Sequence, residues 1–91
     1  MNADKDALRN YLAASHLPRI RGRELRDAAR RARQAAESLS AEGVLVRHLR
    51  TTFVPEDEVC LHVFEAPSAE AVSEAMRRAA LAADRIVEAV E

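Results

Sequence analysis

The chain has 91 residues, of which 48% are hydrophobic and 32% charged, with a formal net charge of −1 at pH 7. This length allows one hydrophobic core and excludes a catalytic domain joined to a separate regulatory domain. Two glycines and three prolines exclude collagen-like and low-complexity character. We therefore expect one folded α+β domain over residues 10–91, preceded by a flexible charged leader over residues 1–9.

Cysteine usage and hydropathy bear on the cellular location. No apolar run reaches the roughly 18 residues that cross a bilayer, and the N-terminus lacks the basic start and apolar stretch of a signal peptide. The single cysteine, Cys60, has no partner for an internal disulfide. These features are typical of a cytoplasmic protein in a reducing compartment. Self-association is one way in which such a small core gains stability.

The first half of the domain begins with a short strand and a long helix. A mostly apolar segment over residues 10–17, ended by Pro18, is predicted to be the first strand. From Gly22 onward, alanine and leucine recur at helical spacing. Gly43 stands where a glycine ends a helix, so the spacing predicts one helix between these two glycines.

The second half is predicted to contain a hairpin, a second helix and a closing strand. Residues 44–54 and 59–64 are rich in β-branched and aromatic side chains and are separated by a polar turn, which predicts a hairpin. Ser68 is the predicted N-cap of the second helix. Residues 85–90 are the predicted last strand.

The resulting order, β-α-β-β-α-β, predicts a ferredoxin-like α+β fold. Right-handed crossovers turn this order into a four-stranded antiparallel sheet with strand order 4-1-3-2 and both helices on one face. The other face of the sheet is then uncovered. The residues on that open face decide whether the protein stays monomeric, pairs with itself or binds a ligand.

The length of the hairpin loop decides which side chains share the open face, because side chains alternate along a strand. A three-residue loop over residues 55–57 gathers six apolar side chains on one face, which we assign to the core: Leu45, Leu49, Phe53, Val59, Leu61 and Val63. The open face then carries Val44, Val46, His48, Arg50, Thr52, Cys60, His62 and Phe64. A two-residue loop would instead separate the two histidines.

The hairpin histidines are candidates for binding a transition metal. In the three-residue register His48 lies opposite Phe64, and His62 lies opposite Arg50. The two imidazoles are then diagonal neighbours, about 7–8 Å apart at their α-carbons. Two rings at this separation could share one divalent ion of nickel, zinc or copper.

Two further side chains could join this candidate metal site. Cys60 is two residues from His62 along the same predicted strand, and His16 ends the first strand. The alternative interpretation is that all four are ordinary polar or buried residues of a partly covered sheet. It is supported by the lack of any CxxC or HxxxH spacing.

Charge is unevenly distributed along the chain, with seven arginines between His16 and Ala36. A basic helix can follow phosphates, but the strands carry no RNP-type aromatic motif, so we do not expect nucleic-acid binding. The alternatives are an interaction module that docks this basic helix on an acidic partner, or a solvated helix face. The acidic residues 56–58 at the hairpin tip are assigned to solubility.

No catalytic group can be assigned from the sequence. It lacks a Ser-His-Asp set, a phosphate-cradling glycine loop and a dinucleotide fingerprint. We therefore favour a protein that is not an enzyme. The alternative is a dimeric α+β barrel protein of the monooxygenase or isomerase kind, which would bind an apolar small molecule in space left by Ala13, Ala14 and Ala89.

Several sequence pieces resemble a known family. The pieces are EGV at 42–44, FVPEDE at 53–58, EAPSAEAV at 65–72 and DRIVEA at 84–89. In this combination, over residues 10–90, they resemble a small bacterial domain family of unknown function, DUF4242, whose members are often described as nickel-binding proteins. The resemblance implies a ferredoxin-like fold, a homodimer and, for at least one relative, nickel binding, without a known enzyme activity.

The resemblance also bears on individual residues. His48 corresponds to a histidine of the nickel-binding relative at the same distance after EGV, whereas His62 falls where that relative has a cysteine. We accordingly expect a small binding or sensing module that is a homodimer. In that dimer the open sheet faces or edges would pair and bury Val44, Val46 and Phe64, because a large uncovered apolar patch is unusual on a monomer.

Overall fold

The computed structural model describes residues 7–90 and contains a four-stranded antiparallel sheet in the order β2-β3-β1-β4. The elements are β1 Arg9–His16, α1 Leu25–Ala41, β2 Arg47–Val54, β3 Val59–Ala66, α2 Ala69–Arg78 and β4 Arg85–Ala89. Read from the other edge, this is the predicted order 4-1-3-2, so the ferredoxin-like α+β fold is confirmed. Residues 1–6 of the predicted leader lie outside the described residues.

Small side chains let α1 pack closely on the sheet. Four alanines and one leucine form its buried face: Ala28, Ala32, Ala35, Ala36 and Leu39. Because alanine keeps the helix near the strands, the larger volumes of the core come from the sheet and from α2, chiefly Phe64, Met76 and His62. The helix starts later than predicted, because Arg19–Glu24 form a separate 3-10 segment before it.

Both helices end in a left-handed residue with the paired hydrogen bonds of a Schellman motif. At the end of α1, Gly43 has a φ of 98°, and the Val44 N–H donates to the Leu39 carbonyl at 3.0 Å. This confirms the predicted role of Gly43. At the end of α2 the same position is held by Ala80, with a φ of 57°.

The start of α2 and the tip of the hairpin are held by side chains. The Ser68 hydroxyl accepts a hydrogen bond from the Ala71 N–H at 3.2 Å, which confirms the predicted N-cap. Glu58, which we assigned to solubility, has a structural role instead. Its carboxylate accepts from the Arg19 N–H at 2.7 Å and fixes the start of the 3-10 segment.

The hairpin register differs from the predicted one. Val54 pairs with Val59, so the loop has four residues, Pro55–Glu58, rather than three. Thr51, not Arg50, therefore lies opposite His62. A β-bulge between His48 and Arg50 then shifts the pairing by one residue and places His48 opposite Phe64, as predicted.

The two sheet faces are exchanged relative to the prediction. Cys60, His62 and Phe64, which we placed on the open face, lie under the helices and are at most 1% exposed. Most of the predicted core set forms the open face instead, with Leu45 and Leu49 being 59% and 38% exposed. The predicted assignment of the faces was wrong because β3 is apolar on both sides. Counting apolar side chains could therefore not identify the face that the helices cover.

This exchange corrects two assignments that depended on the open face. Val46 and Phe64 are 2% and 0% exposed within the single chain, so they belong to its own core and not to an exposed patch available for pairing. The alanines that were expected to leave space for a small molecule are also divided between the two faces of the sheet. Ala13 pairs with His62 on the covered face, whereas Ala14 pairs with Leu61 on the open face.

The helices of the structure are also informative about membranes. In residues 7–90, neither helix combines the length and the apolar composition that a bilayer crossing requires.

Candidate functional site

The β-bulge of β2 builds the candidate site. In a regular strand, residues three apart point to opposite faces, so His48 and Thr51 would be separated. The extra residue at the bulge, Leu49, brings both of them to the helical side of the sheet. There they meet His62, which is the residue opposite Thr51 on β3.

The three side chains form a hydrogen-bonded chain. His48 Nε2 lies 2.7 Å from Thr51 Oγ1, and the same oxygen lies 2.8 Å from His62 Nδ1. The centroids of the two imidazole rings are 6.3 Å apart. The His48 ring also packs with its edge against Phe64, at a centroid distance of 5.5 Å, so its orientation is fixed on two sides.

His62 is the most unusual residue of this group. It is 0% exposed, and its Nε2 has no hydrogen-bond partner within residues 7–90. Burial, followed by the charge of His48, lowers the pKa of His62 to about 4. The ring is therefore neutral at pH 7. An unpaired buried polar atom of this kind costs about 1–3 kcal/mol, so its presence requires a compensating role or partner.

The Thr51 hydroxyl carries one proton and two acceptor lone pairs, so it can donate to only one of the two rings. It accepts an N–H from the other ring, or accepts one from each ring. If His62 donates from Nδ1, its Nε2 holds a free lone pair; if it accepts there, Nε2 carries an unpaired N–H. In either tautomer the buried Nε2 is left without a partner among residues 7–90.

His48 connects this buried chain to the surface. It is half-buried and lines an open groove between α1 and β2. Burial is the larger cause of its lowered pKa, and the positive charge of Arg33 is the second. His48 is thus neutral at pH 7 as well, and among the described residues that line the groove it is the histidine that a ligand or ion can reach.

The structure does not bring the other two predicted site residues into this chain of hydrogen bonds. Cys60 lies on the same face as His62 and is 1% exposed, and burial raises the pKa of its thiol. A neutral thiol is a poor metal ligand until it loses its proton. His16 pairs with Val59, which puts it on the open face of the sheet. The two hairpin imidazoles lie on the other face.

Within residues 7–90, no three His, Cys, Asp or Glu side chains are arranged so that they could hold one metal ion. The site in a single chain therefore amounts to two imidazole donors and a hydroxyl. Sequence reasoning found the two histidines but missed Thr51. No signal pointed to it, because the bulge that places it is marked by neither glycine nor proline.

Comparisons with known proteins identify the family. A family model described as "Nickel responsive protein SCO4226-like" matches residues 11–89. The chain belongs to this SCO4226-like family. The predicted resemblance to a nickel-associated family is thereby confirmed, whereas the label DUF4242 stays a prediction.

A solved structure supports the same assignment. SCO4226 from Streptomyces coelicolor A3(2) is similar to this family member with 25% sequence identity and a TM-score of 0.68. The similarity covers 88% of this chain and 94% of that one, so it extends over the whole ferredoxin-like domain. A comparison with curated proteins found no match.

Proposed function

We propose that the protein is a nickel-responsive binding module in which His48 and His62 bind one divalent transition metal. The observation that carries this proposal is the convergence of two neutral imidazole nitrogens on one point. His48 Nε2 and His62 Nδ1 approach the same hydroxyl oxygen at 2.7 and 2.8 Å. Membership of a family described as nickel-responsive favours nickel among the metals that imidazole binds.

The protonation state of the two rings supports metal binding. Imidazole binds a metal through a neutral nitrogen, so a proton on the ring competes with the ion. Because both histidines have lowered pKa values, this competition is weak at pH 7. The Thr51 hydroxyl stands between the two donors and would have to turn away or become a ligand itself.

The donor set also limits what kind of metal site this is. Two imidazoles are fewer than the four ligands of a closed structural site, so the remaining positions would be open to water or to another ligand. Cys60 is in a supporting position on the same face, but it would first have to release its proton. An open, exchangeable site is what a module that responds to changing metal levels requires.

Isothermal titration of tag-free, metal-free protein with Ni²⁺ tests the proposal. We expect His48→Ala to weaken binding at least about tenfold, since it removes one of two imidazole donors. The matched control is His16→Ala, which removes a histidine from the opposite face of the sheet and should leave the affinity unchanged. Absence of heat with the unaltered protein, or equal affinities for protein and His48→Ala, would refute the metal site.

We also propose that two copies pair through their open sheet faces. These faces carry apolar side chains on three strands, among them Leu12, Leu61 and Val87, with the exposed Leu49 beside them. No helix covers this face in residues 7–90, and uncovered apolar sheet faces commonly mark an interface. A two-fold axis would let each copy cover the other with the same residues.

A further inference from the structure

The side of α1 that faces the edge strand β2 carries a row of arginines. Arg26, Arg30 and Arg33 are spaced by four and three residues, so they lie on one face of the helix. They border the groove in which His48 is exposed. This groove lies at one edge of the sheet, away from the open face and from β4.

The groove consists of two adjoining cavities that share Arg33 and His48. One has a volume of about 350 Å³ and is lined by Arg26, Ala29, Arg30, Arg33 and His48. The other has a volume of about 310 Å³ and extends toward Arg47, with Glu37 as its acidic lining residue. Cavities of this size hold small molecules rather than a protein segment. Within the described residues, no acidic side chain lines the larger cavity.

Several arginines elsewhere in the chain pair with carboxylates, whereas four others make no ion pair within residues 7–90: Arg19, Arg23, Arg50 and Arg85. Arg21 pairs with Glu24 at 2.8 Å, and Arg78 pairs with Glu42 at 2.7 Å. Arg77 likewise pairs with Glu74, at 2.6 Å. Pairing of this kind accounts for these arginines without a ligand.

The arginines of the groove differ from these others because three of them line one cavity. Arg26 and Arg33 make no ion pair within residues 7–90. Arg30 pairs with Asp27, but that carboxylate also serves Arg31 at 2.9 Å, so one negative charge is shared by two guanidinium groups. The groove therefore concentrates positive charge in a concave space beside a neutral imidazole, where a negative ligand would relieve the repulsion.

We propose that this groove binds a small anion carrying two or more negative charges, such as a phosphate ester or a polycarboxylate. Guanidinium groups recognise both classes because their planar donors match pairs of phosphate or carboxylate oxygens. Arg33 lines both cavities and is the central contact, while Arg26 and Arg30 hold the ligand from the helix side. Anion binding does not depend on the metal site and goes beyond it.

Nuclear magnetic resonance titrations of metal-free protein with pyrophosphate and with citrate test this proposal. Metal is removed beforehand with a chelating resin, because a soluble chelator would itself be a polyanion. We expect saturable shifts at the amides of Arg33 and His48, weakened by added salt. The tighter of the two probes identifies the phosphate or the carboxylate class, and either result supports the proposal.

Three variants distinguish specific binding by the Arg33 guanidinium from general attraction of the anion to a positively charged protein. Arg33→Ala should weaken binding at least about tenfold, because it removes the guanidinium shared by both cavities. The matched control is Arg85→Ala, which removes the same charge from β4 at the far edge of the sheet and should change the affinity less than about twofold. Arg33→Lys keeps the charge without the planar donors and should recover part of the affinity.

The proposal fails if neither anion shifts the groove amides, or if Arg33→Ala and Arg85→Ala weaken binding equally. It also fails if a short oligonucleotide binds much more tightly than both small anions, since the basic helix would then serve nucleic acid. Each of these outcomes is independent of the nickel titration, so failure of one proposal leaves the other intact.

Discussion

His62 combines features that rarely occur together in a small core. It is fully buried, one ring nitrogen is bonded to Thr51, and the other has no partner within the described residues. A leucine or phenylalanine would fill such a position without an unpaired polar atom. We interpret the retained imidazole as a functional group held at a cost in stability, consistent with the metal proposal.

The buried imidazole makes stability depend on pH. The pKa of His62 falls from 6.5 to about 4 on folding, so between these values the unfolded chain binds more protons than the folded one. The free energy of unfolding should therefore decrease as the pH falls through this window, by roughly 3 kcal/mol for this group at most. Urea unfolding of metal-free protein at a series of pH values measures the decrease.

The variant His62→Leu should lose most of this pH dependence, since the remaining lowered pKa in the site is that of His48. His16→Ala, which alters an exposed histidine, serves as control and should keep the full slope. Equal slopes for the unaltered protein and His62→Leu would show that another group causes the loss of stability in acid.

At the scale of elements, the two helix ends use the same motif with different residues. Gly43 adopts its φ of 98° without steric cost, whereas Ala80 holds a φ of 57° with a β-carbon present. Ala80 is kept there by the Leu81 N–H, which donates to the Met76 carbonyl at 3.0 Å, and by Arg31, which donates to the Ala80 carbonyl at 2.9 Å. The end of α2 is therefore locally strained.

Replacing this residue by glycine should stabilise the protein. We expect Ala80→Gly to raise the free energy of unfolding by about 1 kcal/mol, because the strain of the left-handed conformation is removed. The matched control is Ala82→Gly, at an exposed loop residue without a positive φ, which should lose up to about 1 kcal/mol. Thermal unfolding of both variants measures the difference, and a loss in Ala80→Gly would contradict the strain.

The sheet shows how a single irregularity creates a site. Without the bulge at Leu49, residues 48 and 51 would lie on opposite faces, and only one imidazole would contact the Thr51 hydroxyl. The bulge also increases the twist of the edge strand β2, which borders the arginine groove. One extra residue thus influences both the proposed metal site and the proposed anion groove.

At the scale of the whole molecule, the division of the sheet into two faces organises both kinds of binding. His48, His62 and the arginine groove lie on the helical side, while the other face carries Leu12, Leu61 and Val87 and no helix covers it in residues 7–90. If this open face pairs with a second copy, as we propose, the ligand sites of both copies remain accessible on the outside of the dimer.

Charge at the centre of the open face should prevent pairing. Leu61 lies between Ala14 and Thr52 on this face, and we expect Leu61→Glu to convert the dimer into a monomer. The control is Ser73→Glu on the exposed side of α2, which should leave the dimer intact. Light scattering after size exclusion measures the mass. A monomeric unaltered protein, or a dimeric Leu61→Glu, would contradict this interface.

The sequence by itself determined the order of elements and the strand order of the sheet. It also determined the end of α1 and the start of α2, because each carries a local signal. Ser68 and Gly43 act within a few residues of their own position, so their roles are readable from the chain. The family resemblance was likewise carried by contiguous pieces of sequence.

Only the tertiary structure decided which face of the sheet the helices cover and which residues meet there. Since β3 is apolar on both faces, its own pattern favours neither one, and packing against the alanine face of α1 makes the choice. The hairpin loop length and the bulge at Leu49 then set the register, which joins His48 to His62 through Thr51. These choices depend on long-range contacts and shape, which hydrophobic periodicity does not encode.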